Sequence, residues 1–282
     1  MGVGGSRAVA GAPTGPEPDV AATAVWTAMC RAEEARRPRA RVTDPHAAMF
    51  VAANAALARR LRADAARVHD AVITRTVLID RALKALSERG LATTFVNLGA
   101  GFDARPYRLD LPPGTTVVEV DGGATLAAKT RVLAGVPACC TVRRVPGDAC
   151  RPSALDLGGV VDTGPVAAVT EGLLCYLRPH EQAALARWIR VELGAEHWVT
   201  DVWSSQSDVE LRAARGPTNG LRVYPVPGPD LFAEAGWQVA GCIPLMLSLR
   251  RDRPPMGAVG GGWACAGASG RLPDSVLHLV PR

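Results

Sequence analysis

The stretch that most constrains this sequence runs from residue 93 to residue 121. Thr93 to Leu98 (TTFVNL) is a run of β-forming residues that stops at Gly99-Ala100-Gly101. A second run, Thr115 to Val120 (TTVVEV), ends on Asp121, twenty residues beyond Gly101. Short apolar runs bounded by turn signals read as buried strands. Glycines at a strand's carboxyl end let the chain turn sharply and let a ligand approach the backbone closely. Amides at the start of the next helix can receive an anionic or polar group. A carboxylate ending the following strand can accept both hydroxyls of a ribose. The pattern points to an α/β fold with a nucleotide-like ligand at the ends of parallel strands.

The rest of the chain extends this reading. Further strands are expected at Thr141 to Val145, Val166 to Thr170, Glu196 to Val202, Gln238 to Leu249 and Ser275 to Val280, with helices at Pro179 to Leu193 and ending near Phe232 to Trp237. Strands alternating with helices predict a Rossmann-like α/β fold: a mostly parallel seven-stranded sheet with helices on both faces. Three helices precede it. The first runs from Ala21 to Arg37, with Val25, Met29 and Ala32 on one face, and Pro38 ends it. Asp44-Pro45 opens the second, which is expected to reach about Ala63. The third is expected from about Ala65 to Arg89, stopped by Gly90. Residues 204–229 read as loops, Gly257 to Gly270 as a turn region, and residues 1–19 as a disordered start. The expected organisation is one domain over residues 20–282, with a helical cap at 20–90 and the core at 91–282.

Composition narrows the function classes. The net charge is +5, but 32 basic residues are spread among 27 acidic ones, and the densest basic stretch, Arg31 to Arg41, contains Glu33 and Glu34. That is the pattern of a solvated helix end, and no nucleic-acid partner is expected. No apolar run is long enough to cross a membrane, and Met1-Gly2 with Ser6 matches the myristoylation pattern only as short patterns in glycine-rich segments do. Seven cysteines, Cys30, Cys139, Cys140, Cys150, Cys175, Cys242 and Cys265, include no CxxC pair and no zinc-finger spacing. Reduced thiols, no metal and a cytoplasmic location are the expectation.

The residues themselves leave two cofactors open. Gly99 to Ala104 also fits G-x-G-x-x-A, the fingerprint of a dinucleotide site. Other positions bear on the choice. The first helix carries Thr23-Ala24 and Arg31-Ala32-Glu33, the second Asp44-Pro45 and Ala47, the third Arg75-Thr76 and Asp80. Then come Asn97-Leu98-Gly99-Ala100-Gly101-Phe102-Asp103-Ala104-Arg105, Tyr107-Arg108-Leu109, Glu119-Val120-Asp121 with Lys129, Asp148, and Glu171-Gly172-Leu173-Leu174-Cys175-Tyr176-Leu177, with Gly236-Trp237 near the end. In this order and spacing, over roughly residues 20 to 240, the sequence resembles the leucine carboxyl methyltransferase family. The likeness is strongest to its bacterial branch that includes the tetracenomycin polyketide O-methyltransferases.

The resemblance implies S-adenosylmethionine as cofactor and a role for each motif. Arg75 would reach the carboxylate of the cofactor's methionine part, and the backbone of Gly99, Ala100 and Gly101 would contact the same moiety. Asp121 would hold the ribose, and Asp148, with the backbone of Ala149, would face the adenine. Glu171 would pair with the ammonium near the sulfonium, and Tyr176 would orient the acceptor. Each also has a plainer reading: Arg75 as a surface arginine, Asp121 and Glu171 as helix caps, Asp148 as a turn residue, Tyr176 as a packed ring.

Methyl transfer from a sulfonium is an in-line displacement in which the protein aligns the acceptor and excludes water. A carboxylate acceptor is already ionised at neutral pH, whereas a phenol or alcohol benefits from a general base. The five histidines, His46, His69, His180, His197 and His278, form no catalytic constellation, although His69, six positions from Arg75 in the cap, is a candidate base. The lack of a histidine constellation favours a carboxylate acceptor, and the resemblance implies that the partner is a small-molecule carboxylic acid, or a phenol, of secondary metabolism. A peptide C-terminal carboxylate, a cofactor-binding chain without turnover and an NAD-dependent oxidoreductase are the alternatives.

Overall fold

The computed structural model describes residues 20–159, 161, 164–204, 223–245 and 272–282. The expected disordered start at 1–19, the turn region Gly257 to Gly270, most of the 204–229 loops and Cys265 lie outside them. The elements are α1 (Val20–Glu34), α2 (Ala47–Ala53), α3 (Ala55–Glu88), β1 (Thr94–Leu98), α4 (Arg105–Arg108), β2 (Thr116–Asp121), α5 (Gly123–Val132), β3 (Thr141–Pro146), β4 (Val166–Thr170), α6 (Pro179–Val191), β5 (His197–Val202), α7 (Asp230–Glu234), β6 (Trp237–Pro244) and β7 (Ser275–Pro281).

The strands form one seven-stranded sheet in the order β3-β2-β1-β4-β5-β7-β6. The first five are parallel, and β7 runs antiparallel to both neighbours. The chain builds outward from β1 through β2 to β3, then returns to place β4 on the other side of β1. That reversal leaves a crevice beyond the carboxyl ends of β1 and β4, where ligands bind in open α/β sheets. Every residue of β1 and β4 is buried, as central parallel strands require.

The pleat divides the core between two helical layers. On one face Phe95, Val117, Ala167, Val169, Val199 and Val276 pack against Leu78, Ile79, Ala82, Leu83 and Leu86 of α3. On the other, Val96, Leu98, Val118, Val120, Ala168 and Trp198 pack against Leu185, Ala186, Trp188 and Ile189 of α6 and Phe232 of α7. Burying each such aliphatic or aromatic side chain contributes about 1.5–3 kcal/mol. The second half of α3 is thus one layer of the core, and the expected boundary at residue 90 does not divide the packing.

The second and third helices differ from expectation. α2 stops at Ala53, and α3 starts at Ala55 and runs unbroken for 34 residues through the expected break near 63–65. Asn54 makes the break: its backbone sits at φ −121°, ψ 32°, and its side-chain amide donates to the Phe50 carbonyl at 2.9 Å. Asparagine competes with helix hydrogen bonds in this way, whereas the alanines around 65 sustain a helix. β6 ends at Pro244, short of the expected Leu249, at a residue with no N–H to donate; residues 246–249 lie outside the described residues.

α1 lies across the crevice. Val25 and Ala28 pack with Phe50 and with Phe102 and Ala104 of the loop after β1, while Trp26 and Cys30 pack with Val68, Val72 and Ile73 of α3. Phe50 and Phe102 stack with ring centroids 4.7 Å apart. No helix among the described residues is long and apolar enough to cross a membrane. The six described cysteines are free thiols.

Candidate active site

A cavity of about 390 Å3 opens at the carboxyl ends of β1, β2 and β4, beneath α1. Arg75, Gly99, Ala100, Gly101, Asp121, Asp148, Ala149, Glu171 and Tyr176 all line it, so the structure brings together every site residue expected from sequence.

The floor is the turn after β1. Gly99 and Gly101 hold φ of +70° and +43°, the left-handed region that L side chains avoid. Close approach also demands a missing side chain: a Cβ on Gly101 would lie 3.3 Å from the Ala24 Cβ of α1. Asp121 braces this turn. Its carboxylate accepts from the backbone N–H of Gly101 at 2.7 Å and of Gly122 at 2.7 Å. Beneath, the fully buried Lys129 pairs with Glu119 at 2.6 Å and donates to the Ala100 carbonyl at 3.5 Å. Arg144 takes the second Glu119 oxygen at 2.9 Å.

A ladder of buried charges borders the cavity where α3 meets the ends of β1 and β4. Arg31 of α1 donates to Asp44 at 2.9 Å and to the Phe102 carbonyl at 2.7 Å. Arg108 pairs with Asp80 at 2.7 Å. Arg105 pairs with Asp80, with Asp103 at 2.8 Å and with Glu171 at 2.6 Å. Arg75 donates from Nε to Glu171 at 3.1 Å and from Nη1 to Asp201 at 3.0 Å. Thr76 also donates to Glu171, at 3.1 Å. The ladder joins three helices to the ends of three strands, and its arginines satisfy one another's carboxylates in a water-poor environment.

This pairing sets the protonation states. Burial alone would raise the Glu171 carboxyl, but Arg105 and then Arg75 outweigh it and bring it down to about 2. Burial opposes ionisation of Asp103 too, and Arg105 and Lys129 hold it well below the usual carboxylate range. Both are therefore anions at neutral pH. The charged groups lining the cavity are Arg31, Arg75, Asp103, Asp121, Asp148 and Glu171, two guanidiniums against four carboxylates.

The remaining residues sit on the walls. Asp148 is half-exposed and makes a turn, accepting from the Cys150 N–H at 2.9 Å and facing Arg151 at 3.5 Å. Tyr176 ends a short 3-10 turn after β4 and lines the cavity, as do Trp26, Val68 and Val72 of the cap, Trp203 and Val223. None of the five histidines lines the cavity. His69, the candidate base, is turned away from it, buried with Nε2 3.6 Å from Glu34 and Nδ1 3.5 Å from Asp70.

Sequence reasoning gave no role to Arg31, Asp103, Arg105, Asp201 or Trp203. A signal for Asp201 existed: it stands at the carboxyl end of β5, as Asp121 and Glu171 stand on or just past the ends of β2 and β4. Arg105 joins the site only through the ladder, and most of the ladder's partners are distant in the chain.

Comparison with known proteins agrees with this architecture. A protein from Mycolicibacterium vanbaalenii described as an S-adenosyl-L-methionine-dependent methyltransferase is 35% identical over 276 residues, 85% of this chain and 89% of its own. One from Mycobacterium bovis with the same description is 30% identical over 267 residues, 79% and 88% of the two chains. The crystal structure of a DUF574 family protein from Streptomyces avermitilis superposes with a TM-score of 0.58 over 92% of this chain and 97% of its own; at 14% identity it shows the shared fold alone. The family profile described as leucine carboxyl methyltransferase matches residues 24–190, and the chain is an S-adenosylmethionine-dependent methyltransferase belonging to that family.

Proposed function

We propose that the protein transfers the methyl group of S-adenosylmethionine to an oxygen of a small molecule, a carboxylate in the first instance. The observation that carries this reading is that no histidine is among the described residues lining the cavity. Glu171 and Asp103 are held as anions by arginines, and such carboxylates are poor bases. A carboxylate acceptor needs no proton removed.

The cavity's lining suits the cofactor's net positive charge, with four carboxylates against two guanidiniums. In this reading Arg75 and Arg31 would take the methionine carboxylate, and Glu171 the ammonium. The backbone at Gly99 to Gly101 would follow the same moiety, Asp121 would hold the ribose hydroxyls, and Asp148 with the Ala149 backbone would meet the adenine. Bound S-adenosylmethionine supplies an electrophilic methyl on a sulfonium. The chain's own part is to align the acceptor, with Tyr176 as the orienting hydroxyl, and to close the site with α1 so that water stays out. The free thiols fit a cytoplasmic setting.

The pH dependence of transfer tests the acceptor class. For a carboxylate, kcat/KM stays level from about pH 6 to 8, since its pKa lies near 4. A rise of about tenfold per pH unit would indicate that a hydroxyl must first be deprotonated.

A further inference from the structure

We infer that Asp201 is a positioning residue that holds the two halves of the site in register. The residue is 2% exposed, at the carboxyl end of β5, and donors from α3, from the turn after β4 and from the segment just past β5 converge on its carboxylate. Oδ2 accepts from Arg75 Nη1 of α3 at 3.0 Å and from the Trp203 indole Nε1 at 3.2 Å. Oδ1 accepts from the Gly172 backbone N–H at 2.6 Å.

Each of these donors belongs to the cavity wall. Arg75 of the charge ladder, Gly172 next to Glu171, and Trp203 just past β5 all line the cavity. The geometry at Gly172 makes the arrangement tight. Its φ is +65°, and a Cβ there would lie 3.1 Å from both Arg75 terminal nitrogens, so the guanidinium lies directly against this turn. Asp201 fixes both sides of that contact, the arginine through Oδ2 and the turn through Oδ1. The oxygen that holds the arginine also holds the indole. A shift of Arg75 toward a bound carboxylate is thereby transmitted to Trp203, and an acceptor pressing on Trp203 is felt at Arg75.

This inference rests on the assignment of the methionine end of the cofactor to Arg75. The test compares two ligands: S-adenosylhomocysteine, which carries the amino-acid end, and 5′-methylthioadenosine, which lacks it. Calorimetric titration of Asp201→Asn should show S-adenosylhomocysteine binding weakened roughly tenfold or more, the cost of a lost charge-assisted hydrogen bond. Affinity for 5′-methylthioadenosine should change less than about twofold, because that ligand does not reach the clamp. A merely structural role would weaken both together, and that outcome overturns the proposal, as does an unchanged affinity for both. Should Asp201→Asn fail to fold, Asp201→Glu keeps the charge but displaces it by one methylene, and the same selective loss is expected. A wild-type chain that bound 5′-methylthioadenosine as tightly as S-adenosylhomocysteine would instead overturn the assignment of the methionine end to Arg75, and the clamp with it.

Discussion

Arg75 and Glu171 stand 96 positions apart in the chain and meet through a hydrogen bond of 3.1 Å from Nε to Oε1. The bond joins the middle of α3 to the end of β4, so the helix that carries the cap onto the sheet is pinned at the point where the cavity opens. Glu171→Gln removes the anion shared by Arg75, Arg105 and Thr76. The arginines keep Asp201, Asp80 and Asp103, so the expected loss of unfolding free energy is about 2 kcal/mol rather than that of a stranded charge. Urea unfolding measures it, and cofactor binding should weaken in parallel.

Gly172→Ala places a methyl where the Arg75 guanidinium lies and forces a left-handed backbone on an L residue. The expected cost is about 1–2 kcal/mol of stability, with a loss of cofactor affinity that Gly159→Ala, also at positive φ but with nothing within 4 Å of its Cβ position, does not show. Thermal melts and calorimetric titration of the two variants make the comparison.

Much of this arrangement was legible in the sequence, and the boundary of what was legible has a physical cause. The β runs at 94–98, 116–121 and 166–170 announce themselves because these strands are mostly apolar, buried nearly throughout, and run into a glycine or a carboxylate at their carboxyl ends. The break at Asn54 was missed because one weak helix former among alanines barely alters the pattern, and its effect depends on a side-chain bond to Phe50. The ladder from Arg31 to Asp201 was missed because most of its pairs form only when distant elements meet, and an isolated arginine on a helix face looks solvated. His69 stood near Arg75 in sequence yet faces Glu34, because six positions along a helix do not share one face as three or four do.

Asp121 braces two backbone amides and lines the cavity. Asp121→Ala should abolish measurable cofactor binding while leaving the far-ultraviolet circular dichroism of the fold in place. An alanine variant that bound S-adenosylhomocysteine as well as wild type would remove the ribose role from this residue.

His197 and His278 pair across β5 and β7 at 3.0 Å. Burial and then the neighbouring His197 push His278 down to about 4, and burial lowers His197 as well. The unfolded chain binds the His278 proton near pH 6.5 and the folded chain only near 4, so this pair's stability contribution is complete above about 6.5 and is lost as pH falls toward 4. Melting temperatures measured between pH 7 and 5 should fall less steeply for His278→Asn than for wild type.

The most direct test of the account is to supply S-adenosylmethionine labelled in its methyl group with a panel of carboxylic acids and phenols, then treat the products with mild base. The account predicts label in product that base releases as methanol, because a methyl ester hydrolyses and a methyl ether does not. Label that survives base would contradict the carboxylate acceptor, and no transfer to any acid or phenol, from a chain that binds the cofactor, would contradict O-methyl transfer itself.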